Sequence, residues 1–89
     1  MNPFDLSGRR AMVTGANTGI GQGIAVSLAQ AGAEVVAVGR SSMADTQARV
    51  AAVGGRIVAI AADLGRPREA AAMLERVWKQ TGPIDILVN

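Results

Sequence analysis

The sequence predicts an α/β fold: a doubly wound parallel sheet in the order βαβαβαβ. Three observations predict it. Apolar, β-branched runs of four or five residues alternate with longer Ala-rich stretches of helical period. The runs lack the polar alternation of a half-exposed strand, as expected where both faces of a sheet are covered. Parallel neighbours also need crossovers, which are usually helical and right-handed, so helices fall on both faces.

Ala11-Met12-Val13-Thr14 is the first predicted strand. A helix over 20–31 follows, with Ile20, Ile24, Leu28 and Ala31 at helical spacing and Gly32 as its stop. The second strand is Glu34-Val35-Val36-Ala37-Val38. Ser42 with Asp45 three residues later is a capping-box pattern, opening a helix that runs to Val53 before Gly54-Gly55. Ile57-Val58-Ala59-Ile60-Ala61 is the third strand. Pro67 suits a first helical position, and Ala70, Leu74, Val77, Trp78 and Thr81 are the predicted buried face of the third helix. Gly82-Pro83 ends it, and residues 84–88 read as a fourth strand. The sequence stops at Asn89 with no helix to follow. A parallel sheet truncated after the fourth strand leaves that strand as an uncovered apolar edge, so the expectation is part of a longer fold.

Composition narrows the chemistry. None of the 89 residues is Cys, His or Tyr. Disulfides, thiol nucleophiles, the usual zinc sites and Ser-His systems are therefore outside this chain, and no metal site is expected. Nine basic residues against seven acidic leave a net charge of +2. Eight of the nine are Arg, scattered along the chain, and one Phe and one Trp offer little for base stacking. Nucleic acid is not an expected partner. Arg9-Arg10 precedes a stretch broken by Gly and Asn, unlike a twin-arginine export signal. No apolar run approaches the ~18 residues of a membrane span, so no membrane partner is expected and the expected location is cytoplasmic. Glu69 and Glu75, six apart on one helix, do not face each other, so they form no acid/base pair.

The chemistry-bearing feature is the glycine loop between the first strand and first helix: Thr14-Gly15-Ala16-Asn17-Thr18-Gly19-Ile20-Gly21. Such a junction presents free backbone N–H groups at the positive end of a helix dipole, a ready site for phosphate. Glycine lets a diphosphate approach where a Cβ would block it. The literal GxGxxG pattern is absent, and a Walker A loop fails because Ile20 stands where its second Gly would be and no Lys follows.

At these residues the chain resembles the short-chain dehydrogenase/reductase family, whose cofactor loop TGxxxGIG is met here without a mismatch. The resemblance extends over the whole chain. Ala62-Asp63-Leu64 resembles the family's acidic adenine contact, and Asp85-Ile86-Leu87-Val88-Asn89 the start of its Asn-Asn-Ala-Gly motif. The resemblance implies a Rossmann-type sheet binding a nicotinamide dinucleotide. The cofactor residues it implies, together with those following the second strand, are Gly15, Asn17, Thr18, Gly19, Ile20, Gly21, Arg40, Ser41, Asp63, Leu64 and Asn89.

The end of the second strand bears on which cofactor. A carboxylate there accepts the adenosine ribose hydroxyls and disfavours a 2′-phosphate. Here the residues are Val38-Gly39-Arg40-Ser41-Ser42, with Gly39 where an acid would be expected. A guanidinium pairs bidentately with phosphate and the serine hydroxyls add donors. Both changes favour NADP(H), with NAD(H) the alternative; Thr18 adds no second base.

The resemblance also implies hydride transfer between nicotinamide and a small-molecule carbonyl or alcohol. The family's acid/base Tyr, with the Lys that lowers its pKa, is not among these residues: there is no Tyr, and the single Lys, Lys79, lies on the third helix. No catalytic residue is expected within the chain, which alone should not turn over substrate. Phe4-Asp5-Leu6-Ser7-Gly8 and Thr18-Gly19-Ile20-Gly21-Gln22-Gly23 look most like sugar-acid enzymes of the 2-deoxy-D-gluconate 3-dehydrogenase (2-dehydro-3-deoxy-D-gluconate 5-dehydrogenase) type. A 3-oxoacyl carrier-protein reductase and a non-catalytic nucleotide-binding module are the alternatives. Homo-oligomers are common in the family, through helices that would lie after Asn89.

Overall fold

The computed structural model describes residues 5–17, 19–62 and 65–88. Seven elements follow in strict alternation: β1 (Arg10–Thr14), α1 (Gly19–Gln30), β2 (Glu34–Gly39), α2 (Ala44–Ala52), β3 (Arg56–Ala61), α3 (Pro67–Thr81) and β4 (Ile86–Val88). All strand pairs are parallel, in the order β3-β2-β1-β4. Met12 pairs with Val36 on one side and Leu87 on the other, and Val36 with Val58. The chain steps outward from β1 to β3 and then returns across it to β4. In open α/β sheets such a reversal, here between β1 and β4, opens a crevice at the carboxyl ends of the strands, where ligands are taken.

Strand alternation divides the interior into two cores. Val13, Val35 and Ala37 pack with Ala25 and Ala29 of α1 and with Met43 and Val50. Met12, Val36 and Val38 pack with Ile60 and with Met73 and Val77 of α3. Helices thus cover both faces, as the apolar strands require.

Helix ends follow local chemistry. After α1, Gly32 N–H donates to the Ala29 carbonyl and Ala33 N–H to that of Leu28. After α2, Gly54 N–H donates to Ala51 and Gly55 N–H to Val50. Both are Schellman pairs. Pro67 opens α3, after an extended Arg66.

Three expectations are corrected. In α1, Ile20 is 83% exposed; Ala25 and Ala29 are the buried residues, with Ile24 and Leu28 beside them. Ile20 lies in the first turn, beyond the strand ends, so its spacing matches the core stripe but there is no sheet beneath it. In α3 the buried row is Met73 and Val77, whereas Leu74 and Trp78 are 50% and 63% exposed. Leu74 and Trp78 instead line a groove with Met12, Ile84 and Leu87 at the β4 edge. Two neighbouring stripes share the helical period, and only sheet contact chooses between them. Met73→Ala should therefore cost about 2–5 kcal/mol. Leu74→Ala should cost less than about half of that, since half of its surface already meets water. Urea unfolding of the two variants checks the orientation.

The third correction concerns α2. Met43 takes the N-cap position and no side chain caps the helix there. Ser42 Oγ accepts only from Ala44 N–H, at 3.2 Å. Asp45 does not close the box, because its carboxylate is engaged by Gln22 and Arg49.

Candidate cofactor site

The bend after β1 turns on two glycines. Gly15 and Gly19 sit at φ +64° and +60°, a region that L side chains rarely occupy. Gly15 N–H donates to the Val38 carbonyl at 2.9 Å, tying the bend to the end of β2. Gly15 therefore contributes its turn, and its amide is spent within the sheet. Donors free for a ligand begin further on, in the first turn of α1. An α-helix leaves those N–H groups without intrahelical partners and at its positive end. Gly19, Ile20 and Gly21 are in that turn.

Gly21 has a separate reason to be glycine. A Cβ there would fall 2.2 Å from the Gly15 carbonyl oxygen and 2.9 Å from its carbon. The helix starts directly against the bend, and only a residue without a side chain permits it.

Across the strand ends, Gly15 and Asn17 share a cavity of about 540 Å³ with Val38, Gly39, Arg40, Ser41, Ala62 and Gly65. Four of the predicted residues (Gly15, Asn17, Arg40 and Ser41) are thus brought together at the carboxyl end of the sheet. Gly19, Ile20 and Gly21 follow at the start of α1. Thr18, Asp63, Leu64 and Asn89 lie outside the described residues, as does Phe4 of the first motif; Ala62 and Gly65, which flank Asp63-Leu64, both line the cavity.

At Gly39 a Cβ would fall 2.6 Å from Met43 Cε and 3.7 Å from Asn17 Oδ1. The methyl end of the buried Met43 side chain occupies that space and would have to shift for any larger residue; with Gly39 there, the cavity wall next to Arg40 carries no carboxylate. Met43 gave no sign of this in sequence, because it reads only as an apolar residue before a helix.

A hydrogen-bond network missed in the sequence joins the bend to α2. Thr46 Oγ1, fully buried, donates to the Ala16 carbonyl at 2.7 Å. Gln22 Nε2 donates to Asp45 Oδ2 at 2.9 Å and to Thr46 Oγ1 at 3.1 Å, with the Asn17 carbonyl at 3.3 Å. The bond from Gln22, and after it Arg49, holds the Asp45 carboxyl below its ordinary range. No local pattern announces this network, since Gln22 and Thr46 stand 24 positions apart.

The opposite end of the sheet carries a second cavity, of about 380 Å³, which includes Arg10, Glu34 and Arg56. Arg10 is taken up there by Glu34 at 2.8 Å. It lies at the amino ends of the strands, away from the crevice and from any free helix N-terminus. Among the described residues, no helix is long and apolar enough to cross a membrane.

A parallel 3-2-1-4 sheet with a glycine bend leading into its first helix defines a Rossmann-type nucleotide-binding fold. Residues 9–89 match the model of the short chain dehydrogenase family, and the chain belongs to that family. It is similar to the 2-dehydro-3-deoxy-D-gluconate 5-dehydrogenase of Dickeya dadantii, at 42% identity over 89 residues, covering 100% of this chain and 35% of the relative. A short-chain type dehydrogenase/reductase from Mycobacterium marinum superposes with a TM-score of 0.89 at 41% identity, over 94% of this chain and 35% of that one. The Pseudomonas aeruginosa RhlG/NADP active-site complex superposes at 0.88 with 41% identity, over 100% of this chain and 37% of that one. The chain spans about a third of the length of these relatives.

Proposed function

We propose that these 89 residues are the NADP(H)-binding portion of an oxidoreductase that moves hydride between nicotinamide and a carbonyl or alcohol carbon. The observation that carries this reading is one cavity lined by Gly15 and Asn17 of the glycine bend together with Arg40 and Ser41, with no carboxylate at Gly39. In folds of this kind a dinucleotide lies with its diphosphate at the helix start and its adenosine end toward the second strand. The amides of Gly19, Ile20 and Gly21 hold the diphosphate. Arg40 and Ser41 hold the 2′-phosphate; the family resemblance supports Asp63 and Leu64 as adenine contacts and Asn89 as a further cofactor contact. The NADP complex of the RhlG relative supports this choice of cofactor.

When bound, the nicotinamide supplies or accepts hydride. The chain's own residues bind and orient it; with no Tyr present, they do not carry the proton step that the family resemblance implies. The name of the Dickeya relative supports a sugar acid as the substrate of the longer enzyme. Calorimetric titration of the chain with NADPH and NADH tests the reading. Tighter binding of NADPH is expected. Equal or tighter NADH overturns the cofactor assignment, and absence of both heats overturns the site.

A further inference from the structure

We infer that Gln22 and Thr46 are positioning residues for cofactor discrimination, holding the segment that carries Arg40 and Ser41 at a fixed distance from the glycine bend. This inference rests on the NADP(H) reading above. Two-point recognition of a dinucleotide requires that spacing. A diphosphate gripped at the start of α1 delivers the ribose 2′ position to one place only, and a cation elsewhere reads nothing.

The spacing is set by side chains. Thr46 and Asp45 belong to the first turn of α2, directly after the Arg40 segment. Thr46 reaches the Ala16 carbonyl, and the Gln22 amide reaches both Thr46 and Asp45. The hydroxyl proton goes to Ala16, so its oxygen is left to accept from Gln22. Gln22 is itself in the first turn of α1, so the two helix starts and the bend are bound into one unit. The bend has a second anchor in the bond from Gly15 to Val38 and in the backing of Gly21 against Gly15. That bond also holds β2, so when the network is cut, what moves is α2 with residues 40–43, which join β2 to it. The diphosphate grip persists while the 2′ contact loosens.

Neither residue touches the cofactor in this scheme, so a loss of affinity alone is not diagnostic; the ratio between cofactors is. Dissociation constants for NADP⁺ and NAD⁺ are measured on the chain and on the Gln22→Ala, Thr46→Val and Thr46→Ser variants, with thermal melts to establish folding. Loss of a member of a shared network should weaken NADP⁺ about five- to fiftyfold in Q22A and T46V. NAD⁺ should change by less than about twofold, because the groups that hold it stay anchored. Thr46→Ser keeps the oxygen and should restore the NADP⁺ value. Equal weakening of both cofactors, no weakening of either, or a T46S variant that behaves as T46V overturns the inference and leaves the NADP(H) reading standing. Absence of NADP⁺ binding by the unmodified chain overturns that reading and the inference with it.

Discussion

Gly21→Ala is expected to destabilise the fold by about 3 kcal/mol and abolish measurable dinucleotide binding, whereas Gly23→Ala, two residues along the same helix, should stabilise it. Both glycines lie in α1, and helix propensity alone would make both exchanges favourable. Space separates them. A Cβ at Gly21 meets the Gly15 carbonyl at 2.2 Å, and the obstacle is backbone that cannot rotate away. Relief requires either the bend or the helix start to shift, and either movement carries the α1 amides away from the proposed diphosphate position. At Gly23 a Cβ meets nothing within 4 Å, so the exchange recovers about 0.5–1 kcal/mol of backbone entropy. In a domain of this size the two should differ in melting temperature by well over 10 °C. Paired thermal melts and calorimetric titrations read both effects. Equal stability of the two variants would mean that α1 does not start against the bend.

Arg40→Asp carries the second large effect. The exchange removes a guanidinium from the cavity wall and places a carboxylate where the 2′-phosphate is proposed to lie. Losing a charge-assisted contact costs about 1–3 kcal/mol. That corresponds to about a 5- to 150-fold weaker NADP⁺. NAD⁺, which has no 2′-phosphate, should bind within about twofold of its original strength or better, since a carboxylate near the ribose accepts its hydroxyls. Competition titrations with the two cofactors measure the ratio directly. Arg40→Lys should fall between, because an ammonium keeps the charge and loses the planar fork. An unchanged ratio in R40D would remove Arg40 from the site.

Much of this architecture is legible in the residues. Alternation of β-branched runs and Ala-rich stretches gives the seven elements in order, and Gly32 and Gly54 mark helix ends because each closes a Schellman pair. The glycine bend is legible for the same reason: its chemistry is local. What depends on distant partners is not. Val77 is in the α3 face that spacing suggests, but Leu74 and Trp78 share the period and lie, half exposed, along the groove at the β4 edge. Strand order is equally silent in a βα alternation, although it creates the crevice. Asp45 illustrates the general case. Its distance from Ser42 suits a capping box, but a glutamine amide from α1 competes for the same carboxylate and takes it. Met43, filling the space above Gly39, likewise has a role only once β2 and α2 are folded together.

In the proposed binding mode the α1 start grips the diphosphate while Arg40 reads the 2′-phosphate. Titrating the ¹⁵N-labelled chain with NADP⁺ and following its backbone amides by NMR tests it most directly. The amides of Gly19, Ile20 and Gly21 and the Arg40 segment are expected to shift together along one saturating curve. Shifts gathered instead around Arg10 and Arg56 at the far end of the sheet, with the bend unmoved, would contradict it.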